Sequence, residues 1–260
     1  MFSSSPARLV SLASLIGTTL LTGCAGPTAV KAVVADPPAY SAHHMTARNL
    51  QATGREKLPA AGSEAFGYTT IVMSGEIRQT PVNGRPFDVT FENTYYNDRD
   101  DGMLRGIFMR KSNGLPSSFR VDLSYHGFVP LIVQAGSSTA ETMMRTLTAR
   151  DIDQWPRDFA AMPEHGSFTF AWTAGFAGDP VQTYPRKLTC TSGENYPASR
   201  FMPQVPGQAI DLKCNWLDDN GVQSDKTRLV YLRAYALALP VEQTTASWTS
   251  TTRYDTLQVQ

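Results

Sequence analysis

Apolar and polar residues alternate in short runs through most of the chain beyond residue 66. Phe87, Val89 and Phe91 alternate with Asp88, Thr90 and Glu92. Phe119, Val121, Leu123 and Tyr125 alternate with Arg120, Asp122, Ser124 and His126, and Phe168, Phe170 and Trp172 repeat the pattern. A period of two is that of a half-buried strand. Tyr68–Arg78 and Trp248–Val259 also read as strands. Thr227–Leu239 is mostly apolar on both faces, interrupted by Arg228 near its start and by Arg233, and predicts one long central strand. Asn83-Gly84, Asn113-Gly114 and Asn220-Gly221 each fall between strand-like runs. Asn-Gly accepts the positive φ values of a tight hairpin turn, so these pairs predict hairpins. The intervening loops read as slightly longer than two residues, which leaves the register open.

One segment has another period. Ser138-x-x-Glu141 has the form of a capping box, and Met143, Met144, Leu147 and Ile152 follow at helical spacing. A helix is therefore predicted within Ser138–Trp155, ended by Pro156. Residues 175–187, rich in Gly and Pro, read as loop. The total is about ten strands and one or two short helices. The expected fold is mainly β: an antiparallel β-sandwich or barrel-like single domain over residues 66–260. Two small β subdomains divided near residues 136–166 are the alternative.

Residues 24–65 differ in texture. Eleven alanines and Pro27, Pro37, Pro38 and Pro59 predict a flexible tether, with a short helix near Met45–Gln51. A coil of this length spans roughly 35 Å. His43 and His44 lie in it and read as solvated.

The first 23 residues form a targeting segment. Arg8 precedes Leu9–Leu21, an apolar run of 13 residues, long enough for a signal peptide and too short to cross a bilayer. Leu21-Thr22-Gly23-Cys24 resembles the lipobox of bacterial lipoproteins. That resemblance covers residues 1–24. It implies cleavage before Cys24, acylation of Cys24, and attachment to the membrane through lipid. Ala25 in place of aspartate implies the outer membrane, with the domain facing the periplasm.

Composition excludes other classes. With 42% hydrophobic and 10% aromatic residues the chain is not disordered. It carries 23 basic and 23 acidic residues without a basic stripe, so nucleic acid is not an expected partner. Cys190 and Cys214 remain once Cys24 is assigned to lipid. In an oxidising compartment they are expected to form a structural disulfide.

No local motif carries catalysis. Gly-x-Ser-x-Gly, Ser-x-x-Lys, His-Glu-x-x-His and the phosphate-binding glycine loops are absent. The acidic run Asn97–Gly102 departs from the EF-hand pattern and reads as a polar turn. Neither a metal site nor a cofactor is expected, and no catalytic residue is assigned. His126 reads as a solvated or backbone-bonded histidine, and His165 as a loop residue. Glu76, Glu92, Asp122 and Glu164 are carboxylates in or beside strands that a glycosidase could use in pairs. Tyr95 and Tyr96, beside a polar loop, are the candidate ligand contacts. The expected role is non-catalytic binding or scaffolding at the cell envelope, with an envelope protein as partner. An envelope hydrolase acting on glycan or ester, and an inhibitor or immunity lipoprotein against a toxin, are the alternatives.

Overall fold

A computed structural model describes residues 28–139, 143–156, 159–218 and 220–260. The signal segment and Cys24 lie outside the described residues. A short strand β1 (Thr28–Ala29) is followed by helices α1 (Val30–Ala35), α2 (Pro37–His44) and α3 (Ala52–Arg55). Apart from short 3-10 helices at Ala47–Asn49, Ala198–Arg200 and Arg233–Tyr235, the remaining elements are strands: β2 (Thr70–Pro81), β3 (Phe87–Tyr96), β4 (Met103–Ser112), β5 (Leu115–Tyr125), β6 (Val129–Ser137) and β7 (Met143–Met144). Then come β8 (Leu147–Gln154), β9 (Ser167–Phe176), β10 (Tyr184–Pro197), β11 (Gln208–Leu217), β12 (Gln223–Leu232), β13 (Leu237–Thr244) and β14 (Trp248–Val259). Twelve of them close into an antiparallel barrel in the order β10-β11-β12-β13-β14-β2-β3-β4-β5-β6-β8-β9. The remaining two, β1 and β7, pair with each other. Closure leaves the ring without a free edge. The mainly β expectation holds, as a barrel and not as a sandwich.

Local chemistry explains the hairpins. Asn113 and Gly114 take φ of 51° and 78° between Ser112 and Leu115, so the β4–β5 loop has only two residues. This is the right-handed match to strand twist that primed turns supply.

The helix expected within Ser138–Trp155 is corrected: the described residues there form β7 and β8. Glu141 lies outside the described residues. The β8–β9 register shifts between Ala149 and Asp151 and again between Ile152 and Gln154. These bulges leave Ala149 and Ile152 both buried, three residues apart. A bulged strand therefore shows the spacing of a helix turn. The single strand expected over Thr227–Leu239 is also corrected. It folds back on itself at Arg233–Tyr235, so that Leu232 pairs with Leu237. Ala236 takes the positive φ (44°) at the turn, where no Gly or Asn marks it.

Residues 28–65 do not form the expected flexible tether. Val30, Val33, Met45, Ala47 and Leu50 are buried in the main hydrophobic core together with Met103, Ile107, Val121 and Leu123 of β4 and β5. Arg105 of β4 fastens α2. Its Nη1 donates to the Ser41 hydroxyl at 2.9 Å, Nε and Nη2 donate to Asp98, and the guanidinium lies 4.0 Å from the Tyr96 ring centre. The Tyr40 hydroxyl donates to Gln134 Oε1 at 2.7 Å, and Lys57 reaches Asp151 on β8.

The expected disulfide is present: Cys190 on β10 faces Cys214 on β11, with Cα atoms 4.0 Å apart. Both residues are buried in the core. Replacing both by alanine is expected to lower the unfolding free energy by about 3 kcal/mol. Urea titration of the oxidised protein and the variant measures this; equal midpoints would contradict it.

Candidate ligand-binding cavity

Seven consecutive strands, from β13 through β14 and β2 to β6, curl around a cavity of about 540 Å³. Its wall reaches from Pro240 and Gln243 on β13 to Ala135 and Gly136 on β6, the two ends of that run. The register explains which residues meet there. Asn93 pairs with Phe108, Tyr95 with Gly106, Phe108 with Arg120, and Gly106 with Asp122. Alternate residues of neighbouring strands share a face, so these side chains project together. Ile77, Phe108, Phe119, Pro240 and Tyr254 make the apolar wall; Ser118, Gln243, Ser250 and Thr252 add neutral polar groups.

The two candidate tyrosines part company. Tyr95 lines the cavity, buried, with its hydroxyl donating to Gly127 O at 3.3 Å. Burial, then the Asp122 charge, push its phenol up to about 12, so it stays protonated. Tyr96 lies on the opposite face of β3, under Arg105, and does not reach the cavity. The Tyr254 hydroxyl donates to Pro240 O at 3.0 Å. Both cavity tyrosines thus spend their proton on a backbone carbonyl.

The charged groups are Arg110, Arg120 and Asp122. Arg120 Nε lies 2.5 Å from Asp122 Oδ2, a closed ion pair. Asp122 also fixes the local backbone: a Cβ on Gly106 would stand 2.4 Å from its Oδ1. Only glycine lets β4 approach that carboxylate so closely. Arg110 has no carboxylate partner among the described residues. Arg110 and Lys111 are neighbours in the sequence. The strand separates the two: Lys111 pairs with Glu92, whereas Arg110 lines the cavity. The alternation Gly106, Phe108, Arg110 could have shown this had β4 been read as a strand.

The four candidate carboxylates do not converge. Glu76 pairs with Arg253, Glu92 with Lys111, and Glu164 accepts from Asn195, leaving Asp122 alone at the cavity. His165 is exposed at a φ of 53°. The acidic run is held by its own turn, with Asn97 Nδ2 donating to Asp100 Oδ1 and Asp101 paired with Arg99. A second cavity of about 420 Å³ lies between β6 and β12 with Trp172, Trp216, Leu147 and Arg186 in its wall.

His126 is the clearest departure from expectation. It is wholly buried, at a φ of 48°, just after β5. Its Nε2 donates to Glu64 Oε2 at 2.7 Å, and Nδ1 accepts from the Tyr231 hydroxyl at 2.9 Å. The Tyr125 hydroxyl donates to Glu64 Oε1 at 2.9 Å. Gly102 makes room: a Cβ there would stand 2.5 Å from His126 Nε2, and its φ is 76°. The histidine faces Glu64, Tyr125, Tyr231 and Phe159, and Asp101 adds a more distant negative charge. Burial, first of all, pushes the Tyr231 phenol up, so the group is a structural donor and not a nucleophile. This network joins the N-terminal segment to the barrel. Sequence could not find it, because Glu64 and His126 are 62 residues apart.

Acid sensitivity follows. Burial holds His126 below its ordinary 6.5, against the opposing hydrogen bond and charge of Glu64. Burial would raise Glu64, but hydrogen bonds from His126 and Tyr125, with the His126 charge, hold it below 4.5. The unfolded chain therefore binds protons that the folded chain does not, and stability falls as pH falls. The histidine loss begins below about 6.5 at no more than about 1.4 kcal/mol per pH unit; the glutamate loss begins below about 4.5. Urea midpoints are expected to drop from pH 7 to pH 5, and to drop less in His126→Gln. Identical slopes in both proteins would contradict the assignment.

No family model and no curated protein matches the chain. Among solved structures, a beta-barrel-like protein of the DUF1849 domain from Brucella abortus aligns with a TM-score of 0.40 at 8% identity, over 74% of this chain and 98% of its own. A DUF1329 family protein from Desulfovibrio piger aligns with a TM-score of 0.38 at 7% identity, over 74% and 86%. A LolA superfamily protein from Nitrosomonas europaea aligns with a TM-score of 0.35 at 7% identity, over 77% and 90%.

Proposed function

We propose that this chain is a lipid-anchored envelope protein that binds a small, partly apolar molecule inside its barrel, without catalysis. The observation that carries the reading is the cavity of about 540 Å³, lined by apolar side chains such as Ile77, Phe108 and Tyr254 together with charged and neutral polar groups. Its size is within the roughly 300–1,000 Å³ of small-molecule sites. The four carboxylates that could have served catalysis are dispersed, which favours binding.

Anchoring rests on the lipobox at Leu21–Cys24. Four peptide steps separate Cys24 from Thr28, the first residue of β1, a reach of at most about 14 Å. The barrel would then stand against the membrane surface instead of some 35 Å from it, within reach of molecules leaving the lipid. Ala25 favours the outer membrane and its periplasmic face.

Titration of a neutral apolar fluorophore into the protein tests the reading. One saturable site is expected in the wild type, weakened about tenfold or more in Ala135→Trp, which places an indole in the cavity wall. Near-ultraviolet circular dichroism checks that the variant is folded. Equal binding by both proteins would place the fluorophore elsewhere.

A further inference from the structure

We infer that the cavity selects an amphipathic anion, whose carboxylate or phosphate head sits on Arg110 and whose apolar chain lies along Ile77, Phe108 and Tyr254. This rests on the binding reading above and specifies its ligand. The geometry carries it in three steps. Arg110 lines the cavity beside Phe108, its guanidinium 5.6 Å from that ring. Its Nε is buried without a hydrogen-bond partner, as is Arg120 Nε, but Arg120 has the Asp122 carboxylate beside it and Arg110 has none among the described residues. The other two charges on the wall, Arg120 and Asp122, cancel each other at 2.5 Å, so the cavity as a whole bears one positive charge.

A partly buried guanidinium whose Nε lacks an acceptor costs stability, and natural cores pair such groups. Burial weakens its hold on the proton, and no nearby carboxylate opposes this. A bound anion would supply the missing acceptor in a planar, two-pronged contact that suits carboxylate and phosphate alike. A cationic head would set a second positive charge against Arg110.

Calorimetric titration of the full folded protein with four twelve-carbon probes, each below its micelle concentration, tests the inference: dodecanoate, dodecyl phosphate, dodecanol and dodecyltrimethylammonium. Dodecanoate or dodecyl phosphate is expected to bind about tenfold to a hundredfold more tightly than the other two. The better of the pair identifies the head group. Arg110→Met is expected to erase that preference, and Arg110→Lys to keep most of it. Arg110→Met is also expected to melt no lower than the wild type, since it removes an uncompensated charge; a merely structural arginine would lower the midpoint. Dodecanol binding as tightly as both anions, or Arg110→Met retaining the preference, would overturn the inference and leave cavity binding intact. Failure of all four probes would overturn both readings together.

Discussion

Replacing Glu64 by alanine is expected to destabilise the protein by about 3 kcal/mol, more than any other single change to a polar side chain considered above. Its carboxylate accepts from both His126 Nε2 and the Tyr125 hydroxyl in a buried setting. Each buried group left without a partner costs about 1–3 kcal/mol. Glu64→Gln keeps an acceptor for one donor and should cost less than half as much. His126→Phe fills the space but strands Glu64 and the Tyr231 hydroxyl, so it should resemble Glu64→Ala. Urea denaturation at pH 7 measures all three. A Glu64→Ala loss under about 0.5 kcal/mol would mean that the segment is held by its apolar contacts alone. Limited proteolysis supplies a second reading, with cleavage near residues 55–65 rising in Glu64→Ala, where the segment has lost its tie to His126.

Removing residues 28–58 is expected to have the largest effect of all: loss of the soluble, cooperatively folded protein. Val30, Val33, Met45 and Leu50 are buried against Met103, Ile107, Val121 and Leu123. At about 1.5–3 kcal/mol for each of four buried side chains, the segment contributes roughly 6–12 kcal/mol. That is comparable to the whole stability of an ordinary domain. Deletion would also strip Ser41 from Arg105 and uncover an apolar sheet face. Size-exclusion chromatography and dye binding report the result. A monomeric, cooperatively unfolding product would contradict the view that this segment belongs to the core.

The sheet was legible where local chemistry is unambiguous. Alternation located Phe87–Phe91 and Phe119–Tyr125, and Asn113-Gly114 marked a hairpin, with a loop of two residues in place of the slightly longer one expected. Reading failed where tertiary pairing overrode local pattern. The bulges of β8 give Ala149 and Ile152 a helical spacing, and Ala236 turns the chain without a glycine. The Ala- and Pro-rich N-terminal stretch looked like a tether because its apolar residues are few. They suffice because the barrel offers them a ready apolar face. Of the two candidate tyrosines, Tyr95 lines the cavity and Tyr96 does not, since adjacent strand residues point to opposite faces. Arg110 became visible only once the register of β3, β4 and β5 was known. The same is true of the Glu64–His126 pair, which depends on a contact between the N-terminal segment and the end of β5.

The central claim is that the hollow between β13 and β6 holds a small molecule in the cell. Native mass spectrometry of the protein extracted from its own membranes tests it most directly, with Ala135→Trp extracted in parallel. The account predicts one adduct of constant mass per wild-type chain, ionising as an anion once released, and its loss from the variant. A bare wild-type mass, or the same adduct on both proteins, would contradict it.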